Sequence, residues 1–101
     1  MQAADVMKAA SDAYKLLMEN AKVRVMEVRL APGQTAKMHN HPDDHVVYVM
    51  NDAKFRLKTP DGKSQDFELK AGQALFIAAG AHETTNIGKT EGRNLVVEAK
   101  G

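Results

Sequence analysis

The side chains best suited to chemistry in this chain are its four histidines. Three of them, His39, His41 and His45, fall within seven residues, and the fourth, His82, stands far downstream. Imidazole is a common metal ligand and suits Zn, Cu, Fe, Ni and Mn. On a strand, the i, i+2 spacing of His39 and His41 puts both rings on one face, within reach of one ion. His45 follows Pro42 and opens an apolar run, and a bend there would fold it back towards the same point. The chain has no cysteine, which excludes a thiolate metal site, a cysteine nucleophile and a disulfide framework. Any metal site must therefore use nitrogen and oxygen. The plainer alternative is a solvated loop with Asn40, Asp43 and Asp44 that collects metal incidentally, with His82 as a surface group.

The elements that must position these rings are legible from periodicity. Residues 3–18 carry Val6, Ala9, Ala10, Ala13, Leu16 and Leu17 at helical spacings, although Tyr14–Met18 reads equally as a strand pairing with the next across Glu19-Asn20. From Lys22 the period becomes two: Met26, Val28 and Leu30 alternate with Val25, Glu27 and Arg29 up to Pro32-Gly33. Further short runs follow at Val46–Met50, Phe55–Leu57, Phe67–Leu69, Ala74–Ile77 and Leu95–Glu98, separated by Gly, Pro, Asn and Asp turns. This predicts an all-β antiparallel barrel or sandwich. Residues 1–21 are expected to form an N-terminal extension, helix or exchanged strand, and residues 22–99 the domain itself. Phe55, Leu57, Phe67, Phe76, Val47 and Val49 read as core. Met26, Met38 and Met50 read as core filling. Arg24 and Arg93 read as surface groups, and Glu83, next to His82, as pointing to the opposite face of its strand.

Composition narrows the partners. With 101 residues there is room for one domain, small enough to gain from self-association. A homodimer is expected, with residues 12–20 as the contact. The 14 basic and 13 acidic residues nearly cancel and form no basic block, so nucleic acid and anionic membranes are poor partners. No apolar run could span a bilayer, and residues 1–10 lack the pattern of a secretory signal. A cytoplasmic protein is the expectation.

The glycines frame the histidines. Gly33 precedes His39 with five residues between them; Gly72 is followed by five residues, then Ala78-Ala79-Gly80, His82 and Asn86. In these residues the chain resembles the cupin superfamily, whose first motif is Gly, five residues, His-x-His, three or four residues, Glu, six residues, Gly. Its second is Gly, five residues, Pro-x-Gly, two residues, His, three residues, Asn. The resemblance covers about residues 22–99 and implies a double-stranded β-helix, or jelly roll. Departures are His45 in place of the Glu ligand, Asp52 in place of the closing Gly, Ala78 in place of Pro, and Ala81 alone between Gly80 and His82. The His-for-Glu exchange resembles the four-histidine subgroup of small bacterial cupins. That implies one divalent metal ion on His39, His41, His45 and His82, manganese first, with Fe, Zn, Ni or Cu as other candidates.

Four neutral imidazoles leave the full double charge on an ion, which favours anionic chelating ligands and acidifies bound water. The expected function is a metal-dependent, oxygenase-like enzyme of the dioxygenase type acting on a small chelating oxygenated substrate. The alternative is a non-catalytic small-molecule binding or sensing cupin whose metal anchors the ligand. A sugar-phosphate isomerase lacks a basic phosphate pocket in this sequence. The fold itself does not choose among these.

Overall fold

A computed structural model describes residues 4–100. Nearly all regular structure is β. The order is a short helix α1 (Val6–Ala9), then β1 (Tyr14–Glu19), β2 (Val23–Leu30), β3 (Thr35–His41), β4 (His45–Val49), β5 (Ala53–Lys58), β6 (Ser64–Leu69), β7 (Ala74–Ile77), β8 (Gly80–Asn86) and β9 (Gly92–Ala99). A five-stranded sheet in the order β1-β2-β9-β4-β7 faces a four-stranded sheet in the order β3-β8-β5-β6. Every strand pairing is antiparallel. The two sheets enclose the core without closing into a barrel. No helix among the described residues is long and apolar enough to cross a membrane.

The two motif glycines do the same work in two places. Ala31-Pro32-Gly33-Gln34 and Lys70-Ala71-Gly72-Gln73 each close with a hydrogen bond from the fourth N–H to the first carbonyl. Gly33 and Gly72 have φ of 81° and 87°, the left-handed conformation a type II turn needs at its third position. In both turns the Gln side chain accepts from the first residue's N–H. The second motif's Asn86 is tied to the first turn. The Gly33 N–H donates to its carbonyl, and its buried side-chain amide donates to Leu30 O and Thr90 O at 2.8 Å each. Asn86 is therefore a structural clasp between motifs.

The N-terminal segment divides. Only Val6–Ala9 is helical, capped by Asp5, and Tyr14–Glu19 takes the strand alternative, pairing with β2. Asn20 shapes the turn by accepting from the N–H groups of Lys22 and Val23. Val6, Ala10, Ala13 and Tyr14 are buried, so the segment forms part of the core; Asn40 also donates its N–H to Ala4 O.

Along β2, Met26, Val28 and Leu30 are buried in alternation as predicted, with Arg24 in the same set; along β9, Gly92, Asn94, Val96 and Glu98 alternate likewise. Phe55 and Val49 are core as expected, while Val47, Leu57 and Phe67 are half-buried. Three expectations fail. Phe76 is 68% exposed, because its position in β7 puts it on the outer face of the five-stranded sheet beside Val46. Met50 is exposed at the end of β4. Arg24 is buried, with its charge balanced on both sides as described below. Arg93 pairs with Glu27 at 3.1 Å.

Candidate metal centre

The alternation that builds the sheets also gathers the histidines. His39 and His41 sit two apart on β3 and both face inward, and His39 is the cross-strand partner of His82 on β8. His45 begins β4 on the opposite sheet, returned by the bend through Pro42 to Asp44. Asp44, a member of the solvated loop in the plainer alternative, fastens this corner by accepting from the Ala79 N–H at 2.8 Å, although it stays exposed.

All four rings are buried. Centroids lie 4.9 Å apart for His39–His41, 4.7 Å for His39–His82 and 4.8 Å for His41–His82. His45 stacks on His41 at 4.2 Å and is 6.2 Å from His82. One set of ligand atoms, from His39, His41 and His82, falls within 4.8 Å of one another; a second set comes from His41, His45 and Glu98. His41 belongs to both.

Hydrogen bonds fix which nitrogen faces the centre. His39 Nδ1 lies 2.6 Å from the Lys37 carbonyl and His45 Nδ1 3.2 Å from the Asp43 carbonyl. A carbonyl only accepts, so each Nδ1 carries the proton and leaves Nε2 with a free lone pair. His41 Nδ1 lies 2.6 Å from Glu98 Oε2. The Nε2 atoms of His39 and His41 are buried with no hydrogen-bond partner. Buried nitrogens of this kind are rare unless something occupies them. A divalent ion fits that donor set: imidazole nitrogens in the right tautomer, held from behind, with no thiolate.

The protonation tendencies agree. Burial, with the neighbouring rings adding, holds His39 down to about 4 and His82 to about 3. Burial and His41 also lower His45. At neutral pH these three rings are uncharged, the form that binds metal.

Sequence reasoning missed three residues. Glu98, fully buried on β9, bonds His41 through Oε2 and Arg24 Nε through Oε1 at 2.7 Å. Arg24 in turn holds Asp5 through two N–H donors at 3.0 and 3.1 Å. Burial alone would raise the Glu98 pKa, but the bonds to His41 and Arg24 outweigh it and keep the carboxylate ionised. The available signal was position: Glu98 shares the parity of Gly92, Asn94 and Val96, the inward set. Tyr14 packs edge-on against His39 and His41, with ring centroids 5.3 and 5.9 Å away. Burial, with the Glu98 charge adding, pushes its phenol pKa up, so it stays protonated. Asn94 lines a small chamber that His82 also lines.

This two-sheet fold with inward histidines from both sheets defines a cupin. The sequence profile of the cupin domain matches residues 26–98, and the chain belongs to that family. It is 42% identical over 69 residues to the β-alanine degradation protein BauB of Pseudomonas aeruginosa, covering 67% of this chain and 72% of that one. A cupin domain from Bordetella pertussis Tohama I superposes with a TM-score of 0.80 at 30% identity, over 87% of this chain and 92% of the other. A double-stranded β-helix protein from Klebsiella pneumoniae gives 0.71 at 20% identity, over 96% and 88%, a likeness of fold alone.

Proposed function

We propose that this cupin binds one divalent metal ion through His39, His41, His45 and His82 and uses it on a small chelating, oxygenated ligand, as an oxygenase-like enzyme. The observation that carries the reading is the pair of buried, unpartnered Nε2 atoms of His39 and His41. Manganese stands first because His45 in place of Glu resembles the four-histidine cupins; iron, zinc, nickel and copper also suit imidazole. Such an ion supplies Lewis acidity and, if it is manganese or iron, a redox couple. The chain's own residues then hold and tune the site. Lys37 O, Asp43 O and Glu98 orient the rings, and Tyr14 offers a protonated phenol beside them. The relative named for β-alanine degradation supports a small polar metabolite as ligand. Metal analysis of protein purified without an affinity tag tests the site. Stoichiometric metal that falls on His39→Ala, His41→Ala and His82→Ala is expected; no bound metal would refute it.

A binding or sensing role is favoured by one observation: the chamber beside His82 is lined by no carboxylate, lysine or arginine, so Tyr14 is its only proton donor of acid–base type apart from the histidine. Oxygen uptake on ligand addition separates the two readings.

The chain is also proposed to work as a homodimer. Met18, Val25, Val97, Val46 and Phe76 are successive cross-strand partners, one from every strand of the five-stranded sheet, and form one apolar row on its outer face. Met18, Val46, Phe76 and Val97 are each more than a third exposed, which is unusual for a contiguous row left to water. A second copy related by a two-fold axis would cover it with the same row. Of the expected 12–20 contact, Met18 is the residue on this row. Light scattering should give twice the chain mass, reverting to a monomer in Phe76→Lys.

A further inference from the structure

We propose that the N-terminal segment is a clamp on the metal centre, with Asp5 as its positioning residue, so that docking of residues 4–14 and binding of the ion strengthen each other. The inference rests on the metal reading above.

Three contacts run from this segment to the pair His39 and His41. The first is made by backbone. β3 is an edge strand of its sheet, and Asn40, between the two histidines, donates its N–H to Ala4 O at 2.8 Å, while Asp5 and Asn40 form a parallel bridge. The second is made by the Tyr14 ring, edge-on to both imidazoles. The third is made by charge. The two oxygens of Asp5 accept from Arg24 Nη1 and Nη2 at 3.0 and 3.1 Å, Arg24 Nε donates to Glu98 Oε1 at 2.7 Å, and Glu98 Oε2 lies 2.6 Å from His41 Nδ1. Val6 and Ala10, both completely buried, anchor the segment on the core.

Asp5 has two separable duties. Its Oδ2 also accepts from the Met7 N–H at 3.1 Å as the cap of α1. Capping needs only an acceptor, which Asn supplies as well as Asp. The grip on Arg24 needs the charge and both oxygens. With Asp5 in place, the Asp5–Arg24–Glu98 series carries one net negative charge; without it, Arg24 and Glu98 cancel. A divalent ion on four neutral imidazoles gains from that remaining charge. The Asp5 side chain is 39% exposed, so solvent screening keeps its effect below that of a carboxylate bonded directly to a ligand. Linkage supplies the converse. An ion that binds more tightly when the segment is docked holds the segment docked by the same factor.

The test has two arms, both on the full chain. In the first, zinc(II) and nickel(II) affinities are measured by competition with a chromogenic chelator, well below the melting temperature. Asp5→Asn should weaken binding about three- to tenfold, less than the roughly 10–100-fold typical of a group bonded directly to a metal-binding ring. Asp12→Asn removes the same charge from an exposed position of the same segment and should leave affinity unchanged. A role confined to capping or packing would lower the melting temperature of the chelated protein and leave the affinity of the folded protein unmoved. The second arm needs no variant to begin. In wild-type protein, saturating zinc(II) should slow hydrogen exchange of the Lys8, Ala9 and Ala10 amides, which bond to Asp5 O and Val6 O, more than that of the β5–β6 hairpin. In Asp5→Asn the extra slowing should shrink by the fold lost in affinity. Equal affinity in Asp5→Asn and wild type, an equal fall in Asp12→Asn, or no extra slowing in α1 overturns the clamp and leaves the metal site standing. Wild-type protein that takes up neither ion overturns both.

Discussion

The depressed histidines make the metal-free protein acid-sensitive in a window that can be calculated. His39 and His82 titrate near 4 and near 3 when folded, against about 6.5 when unfolded. Between those values the unfolded chain binds more protons than the folded one, so stability rises with pH and is lost as pH falls. The loss begins as pH drops through about 6.5 and ends only below the folded values. From pH 7.5 to pH 5 each ring forfeits about 2 kcal/mol, so the pair gives about 4 kcal/mol. His45, shifted in the same direction, adds to it. For a domain of this size that is a melting-temperature drop of roughly 15–30 °C. Asp5 and Glu98 are also depressed, but as acids they withdraw their stabilisation only below the ordinary carboxylate range. A lower limit of pH 5 therefore isolates the histidines. The assay is differential scanning calorimetry of chelator-treated protein in steps of half a pH unit. Replacing His82 by Gln, which cannot gain a proton, should cut the slope by about a third to a half. A melting temperature flat from pH 7.5 to 5, or an unchanged slope in His82→Gln, would refute the argument that burial holds these rings neutral.

Three further outcomes are expected. Glu98→Gln removes the buried carboxylate from both Arg24 and His41, and should cost about 3–5 kcal/mol in urea unfolding and about 10–100-fold in metal affinity. Gly92→Ala should destabilise by about 1–3 kcal/mol with metal occupancy kept, because a Cβ there would lie 2.4 Å from the buried Phe55 ring; an unchanged urea midpoint would show that the ring yields freely. Loading the apo protein with its metal at pH 7.5 should raise the melting temperature, and the loaded and chelated curves should converge as acid displaces the ion; superimposed curves at every pH would point to incidental binding.

Much of the fold was legible because alternation and turn chemistry are local. The period-two run gave β2, short apolar runs between turn residues marked β4, β5, β6, β7 and β9, and Pro32-Gly33 marked a turn whose backbone angle proves to be that of type II. What escaped was set by pairing across the sheet. Phe76 is apolar in an apolar run, and only its register opposite Val46 puts it outside. Tyr14–Glu19 carries both helical and strand spacings, and the choice is made by its partner β2, a contact no local window contains. Arg24 looked solvated because the two carboxylates that balance it, Asp5 and Glu98, lie 19 and 74 residues away.

The same distance effect changes the electrostatics of the site. Four neutral imidazoles, considered alone, would leave an ion its full double charge. Yet Glu98 stands directly behind His41, its Oε2 at 2.6 Å from Nδ1, so negative charge absent from the proposed ligand atoms returns one side chain further out. A carboxylate behind an imidazole orients the ring and supports it as a metal donor. Arg24 restrains that effect by taking the other oxygen of Glu98, and Asp5 restrains Arg24. His45 and His39 lean only on neutral carbonyls, so among these three rings His41 alone has a carboxylate behind it. His41 also belongs to both ligand groupings, so its loss should lower metal affinity more than the loss of His45. Equal losses from His41→Ala and His45→Ala, measured by competition with a chromogenic chelator, would mean that Glu98 holds His41 in place without tuning it.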